Sequence, residues 1–156
     1  MLTPAQKATL KTAIQADSTA NAFYVSGDLS GLADYLNAPA SPSFTVWKTL
    51  VPISGVGNAV VATDLAGLST LNATRLQTIV TLLSGGVNPT RADTRQFFDD
   101  VFSGSGGAAT RASLLILWKR LATRVEKILA TGTGSDASPA TSGFESPLSY
   151  TELIGL

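Results

Sequence analysis

The chain has 156 residues, enough to bury one sizeable core, and length alone predicts a single domain. Eleven basic residues balance eleven acidic ones, so no overall positive charge draws in nucleic acid without specificity. With no Cys and no His, thiol chemistry, disulfides, His-based acid–base catalysis and ordinary zinc sites are excluded together.

Charged residues make up only 14% of the chain, while Ala, Gly, Ser and Thr abound, a balance that suits a surface covered by neighbours. The first residues, MLTPAQKATL, lack the apolar core of a signal peptide. No run approaches the roughly 18 apolar residues of a membrane span. The expectation is synthesis and folding in a cytoplasm, with no membrane partner.

In chain order, Thr3-Pro4-Ala5-Gln6 fits a capping box with Pro at the first helical position, and predicts a helix running to about Ala16 with a modest apolar stripe through Leu10 and Ile14. Residues 18–27 read as a loop or short extended piece, after which Asp28 or Ser30 caps a short helix burying Leu29, Leu32, Tyr35 and Leu36. Two prolines make 38–43 a turn. FTVWKTLV, 44–51, fits strand or helix; with no partner strand nearby, helix is the choice, ended by Pro52. Residues 53–72 suggest two short helical turns, near 56–61 and 64–69. Asn72 then caps a helix with Leu76, Ile79, Val80 and Leu83 inward, stopped by Gly85-Gly86. Thr90 as N-cap and Asp93 at the third position start the next, which carries Phe97, Phe98, Val101 and Phe102.

The most strongly patterned stretch is 108–131. Leu114, Trp118, Leu121, Val125 and Ile128 recur at steps of four and three, which predicts one long helix of about six turns with Thr110 as a possible N-cap. Arg120, Arg124 and Lys127 lie on its other side. From Gly132 the chain turns rich in Gly, Ser, Thr and Pro, too poor in apolar residues to fold as its own unit, and reads as an extended arm. Phe144, Leu148, Tyr150, Leu153 and Ile154 are spaced through its second half and predict docking on another surface. The fold class expected is therefore all-α: a small multi-helix domain over 1–131, closed by a long C-terminal helix, and an extended arm over 132–156.

Constellations that carry chemistry are few. Gly104, Gly106 and Gly107 precede a basic helix, but neither phosphate-loop pattern is matched, and a flexible hinge is the expectation. Asp99 and Asp100 are adjacent, so on a helix they point about 100° apart and do not converge on a ligand. Arg120, Arg124 and Lys127 fit a solvated face, an acidic protein partner or DNA phosphates. The acidic tail, with Asp136, Glu145 and Glu152 and no basic residue, has the charge to dock on that stripe in another subunit. Trp47 and Trp118 read as core or interface anchors. No catalytic, metal or cofactor site is expected, and the chain reads as no enzyme.

The segments LTPAQKATLK, FTVWKT, FFDDVFSGSGG, LWKRLATRVEKILATGTGS and the ASPAT..FE run of the tail resemble a family of small structural proteins encoded by tailed bacteriophages and prophages. The resemblance implies a virion or morphogenesis role and supplies no active site. In outline, a helical domain with an arm is similar to head–tail adaptor proteins, which form a ring under the portal. That similarity implies location at the head–tail junction, a homo-oligomeric ring, and portal and other neck or tail proteins as partners. Phe144, Leu148, Tyr150, Leu153, Ile154, Arg120, Arg124 and Lys127 are then the expected partner-binding residues. The alternatives are a capsid decoration protein, a tail or fibre attachment protein, or a small DNA-binding packaging factor.

Overall fold

The computed structural model describes all 156 residues as ten α-helices with one short two-stranded sheet, a mostly-α fold. It divides into two compact units: residues 1–46 with 121–156, and residues 47–120. The single domain expected from length is replaced by two units with a core each. The expected 131/132 boundary is not where they part, because 121–156 belongs with 1–46.

In the first unit, α1 spans Pro4–Ala16 behind the Thr3–Gln6 capping box and buries Leu10 and Ile14. Asp17 ends α1 and starts α2, Ser18–Ser26: its carboxylate accepts from the Thr19 and Ala20 amides at 2.9 and 3.0 Å. The loop expected over 18–27 is thus a helix, capped by Asp17 and ended by Gly27 at φ 76°, a left-handed turn that glycine adopts without strain. Asp28 caps α3, Leu29–Asn37, as expected. A core of Leu10, Ile14, Leu32, Leu36, Val125, Phe144, Leu148 and Leu153 joins these helices to the end of the chain.

FTVWKTLV is not a helix: Thr45–Trp47 form strand β1, paired with β2, Lys119–Leu121. The partner strand lies more than seventy residues along the chain, beyond the reach of any local reading.

The same pairing breaks the long helix expected over 108–131. α8 covers only Ala108–Trp118, and α9, Arg124–Leu129, is a separate helix. Thr123 and Glu126 form a second capping box, which puts Thr123 in extended backbone at ψ 170° and starts a new helix. Around it, Ala122 N–H donates to Phe44 O at 2.8 Å and Arg124 N–H to Ala38 O at 3.0 Å, bonds a continuous helix would spend internally. The apolar stripe is accordingly divided. Leu114 and Trp118 serve the second unit's core, Val125 and Ile128 the first unit's, and Leu121 is exposed.

The tail is no detached arm. Thr131 and Thr141 exchange backbone bonds at 2.9 Å, Ala140 N–H donates to Thr45 O at 2.9 Å, and buried Ala140 packs with Val46 and Ala122. The Asn37 carboxamide holds Leu148 at both backbone groups, each bond 2.8 Å. α10, Tyr150–Leu153, then seats Leu153 in the core behind a third capping box, Ser149 with Glu152. A segment too polar to fold alone is ordered by burying Phe144, Leu148 and Leu153 against α1, α3 and α9.

The second unit holds α4 (Ile53–Ala59), α5 (Ala62–Ala66), α6 (Thr70–Leu82), α7 (Ala92–Val101), a 3-10 turn at Ser105–Gly107 and α8. Its core is aromatic: Phe98 meets Phe97 and Trp118 edge-on at 5.3 and 5.4 Å. Three expected caps move. Ser69, not Asn72, caps α6; α7 begins after Arg91, not Thr90; Thr110 is the third residue of α8, not its cap. Val80, expected inward, is exposed. Buried Asp64 of α5 accepts the Thr110 N–H at 2.7 Å, and the Thr110 hydroxyl accepts from Val61 N–H at 3.0 Å. A carboxylate from α5 thereby caps a helix that has no cap of its own. Asp64→Ala should cost about 1–3 kcal/mol, the price of an orphaned buried donor, read as a lowered urea midpoint at unchanged slope.

Candidate interaction surfaces

The residues expected to bind partners fall into two groups. Phe144, Leu148 and Leu153 are buried in the chain's own core. Their surface is therefore not offered outward, contrary to the expectation that all five apolar tail residues dock elsewhere. Tyr150 and Ile154, one helical turn apart, remain exposed.

The basic stripe is also partly engaged. Arg124 lies over the Tyr35 ring at 4.1 Å and donates to Tyr35 O at 2.8 Å. Lys127 sits over Phe44 at 5.9 Å and donates to Pro42 O at 3.4 Å. Arg120 lies in β2, away from the other two in the chain's secondary structure, because the helix that would have aligned them is broken.

The Tyr35 hydroxyl donates to Asp17 Oδ2 at 2.9 Å, so Asp17, Tyr35 and Arg124 form a chain linking the α1–α2 corner to α3 and α9. The Ala20 amide first, with the Tyr35 hydroxyl, the Thr19 amide and Arg124 behind it, holds the Asp17 carboxyl below the ordinary carboxylate value; the bond to Asp17 pushes the Tyr35 phenol up. A depressed carboxyl contributes stability at pH above its unfolded value of 3.8 and loses it as pH falls through the lower folded value. Asp17→Asn should therefore lower the urea midpoint near neutral pH, and the gap to the wild type should shrink as both are taken down to about pH 2.

Asp99 and Asp100 are exposed at the end of α7, where Asp100 accepts from Gln96 Nε2 at 2.8 Å. Gly104 takes φ 69° before the 3-10 turn, and the Arg111 guanidinium donates to the Phe102 carbonyl beside it. No three or more Asp or Glu side chains gather in a metal-holding group, and no helix is long and apolar enough to cross a membrane.

A further surface lies on α6 and α7. The two helices run antiparallel: Asn72 Nδ2 donates to Val101 O at 3.1 Å at one end, while Leu83 and Thr94 share a groove towards the other. That groove, about 420 Å³, is lined by Ile79, Leu83, Phe97 and Phe98, with Arg91 and Asp93 at its polar end. Arg91 and Asp93 form an exposed ion pair that lowers the Asp93 carboxyl and raises the Arg91 guanidinium. A smaller hollow of about 220 Å³ continues past Thr74, Arg75 and Thr78.

α6 buries one residue, Leu76, and leaves Leu71 67% and Leu82 72% exposed. Thr74, Thr78 and Thr81 donate their hydroxyls to the helix's own carbonyls four residues back, at 2.9–3.0 Å. Their donor protons are used within the helix. The sequence signal was Leu71, Thr74, Thr78 and Leu82 at helical spacing, turned away from the Leu76–Ile79–Leu83 stripe. Compared with family models, curated proteins and solved structures, the chain has no match.

Proposed function

We propose that the chain is a non-enzymatic structural subunit of a tailed-phage virion, and within that class a head–tail adaptor that assembles as a ring beneath the portal. The observation that carries this reading is the surface: eleven large apolar side chains are exposed on a chain with 14% charged residues. Burying each one fully is worth about 1.5–3 kcal/mol. A protein free at high concentration gains nothing from them; a subunit covered by neighbours does. The phage setting comes from the resemblance of its segments, and the ring from the likeness in outline to adaptor proteins.

The tail enters this reading in altered form. Tyr150 and Ile154 are the tail side chains open to portal or neck proteins, while Phe144, Leu148 and Leu153 hold the shape that presents them. The DNA-binding alternative draws less support, because Arg124 and Lys127 are turned to Tyr35, Pro42 and Phe44. Disrupting the gene in an inducible prophage tests the proposal by electron microscopy of the lysate. An adaptor predicts filled heads and free tails that do not join; complete, infectious particles would overturn it.

A further inference from the structure

Within the second unit a hollow of about 240 Å³ lies beside the 3-10 turn, between the α5–α6 junction and the end of α7. Its base is buried and its mouth is open: Asp64 and Phe102 are shielded from solvent, whereas Ser69 and Ser103 are exposed. Asp64 is the one charged side chain in the lining. Its carboxylate accepts the Thr110 N–H through Oδ2, while the two oxygens of a carboxylate have room for about four donors. Arg111, the cation next along the chain from Thr110, gives its guanidinium to the Phe102 carbonyl instead. The charge at the base is therefore met by the N-terminus of α8, equivalent to about half an elementary charge, and Asp64 enters neither of the exposed ion pairs. A buried carboxylate so placed favours a cationic guest and repels an anion.

The rest of the lining selects among cations. Asn72 spends its Nδ2 on the Val101 carbonyl and keeps its carboxamide oxygen as an acceptor, so a donor group meets oxygens from two side chains. Leu68 and Phe102 cover other parts of the wall with apolar surface, which accommodates methylenes and cannot ligate a metal ion. Calcium takes about six to eight oxygen ligands, and no three Asp or Glu side chains gather anywhere in the chain. The hollow is also far larger than a bare ion, since one water occupies about 30 Å³ in the liquid.

We propose that this hollow binds a small organic cation, a primary alkylammonium. The ammonium donates to Asp64 Oδ1 and Asn72 Oδ1, and the alkyl stem lies along Leu68 and Phe102 towards the mouth between Ser69 and Ser103. Asp64 then holds two positive groups at once, the N-terminus of α8 and the guest. The site stands whether or not the protein belongs to a virion.

Amide NMR of the full chain, titrated with n-butylammonium chloride and, at matched ionic strength, with potassium chloride and calcium chloride, tests it. The amine should give saturable shifts confined to the amides around the hollow, Gly106, Gly107 and Thr110 among them, with a dissociation constant of about 1 mM or tighter. Asp64→Asn keeps an oxygen for the Thr110 N–H but removes the charge, and should weaken binding at least about tenfold. Ser103→Lys, at the exposed mouth, leaves Asp64 and its cap in place, brings a competing ammonium, and should weaken binding at least about threefold. No saturable shift with n-butylammonium, equal shifts from potassium chloride, tighter binding of calcium than of the amine, or full affinity in either variant would overturn the assignment.

Discussion

A chain ended after Gly143 is expected to lose the first unit's fold. The removed residues include Phe144, Leu148 and Leu153, all buried against α1, α3 and α9. Cutting one buried Leu to Ala costs about 2–5 kcal/mol and a Phe about 3–5 kcal/mol, against a total stability of about 5–15 kcal/mol for an ordinary domain. Deletion also strands the Asn37 carboxamide, whose two bonds run to the Leu148 backbone. Thermal melting by circular dichroism should show the first unit's transition lost or lowered by tens of degrees. An arm that merely trailed from the domain would leave melting unchanged, so a truncated chain that melts like the full one contradicts the packed tail.

The second large effect is expected at Gly134, where two costs coincide. Its φ of 66° lies in the left-handed region, and a Cβ there would enter the Phe44 ring. For Gly134→Ala the backbone term is about 1–2 kcal/mol and the overpacking term about 1–3 kcal/mol. Gly27 provides the control: its φ is 76°, but a Cβ added there meets nothing within 4 Å. Gly27→Ala should therefore carry the backbone term alone. Urea denaturation of both variants separates the two, and equal midpoints would show that the loop 132–143 does not close on Phe44 as described.

What the sequence disclosed follows from how local each signal is. The Thr3–Gln6 capping box located the start of α1 to the residue, because cap, Pro and helix lie within four positions. The same signature stood at Thr123–Glu126, but an apolar stripe continuing at three- and four-residue steps ran across it and read as one helix. Periodicity cannot see that Leu114 and Val125 face different cores. β1 depends on β2 far along the chain, so composition and propensity near Thr45 held no trace of its partner.

The tail misled for a thermodynamic reason. Composition tells whether a segment can fold alone, and 132–156 cannot; whether it completes another core depends on what α1, α3 and α9 leave uncovered. Of its five apolar residues, the register of α10 decides which remain outside: Leu153 turns in, Tyr150 and Ile154 turn out. On α6, threonine counts as polar in any hydropathy pattern. Only the hydroxyl bonds at 2.9–3.0 Å reveal that Thr74, Thr78 and Thr81 turn their donors back onto the helix's own carbonyls.

The assembly reading is tested most directly by the copy number of this protein in purified particles, measured by quantitative mass spectrometry against the major capsid protein. The adaptor account predicts roughly a dozen copies per particle, the count of one cyclic ring beneath a portal. Hundreds of copies, or none, would contradict it.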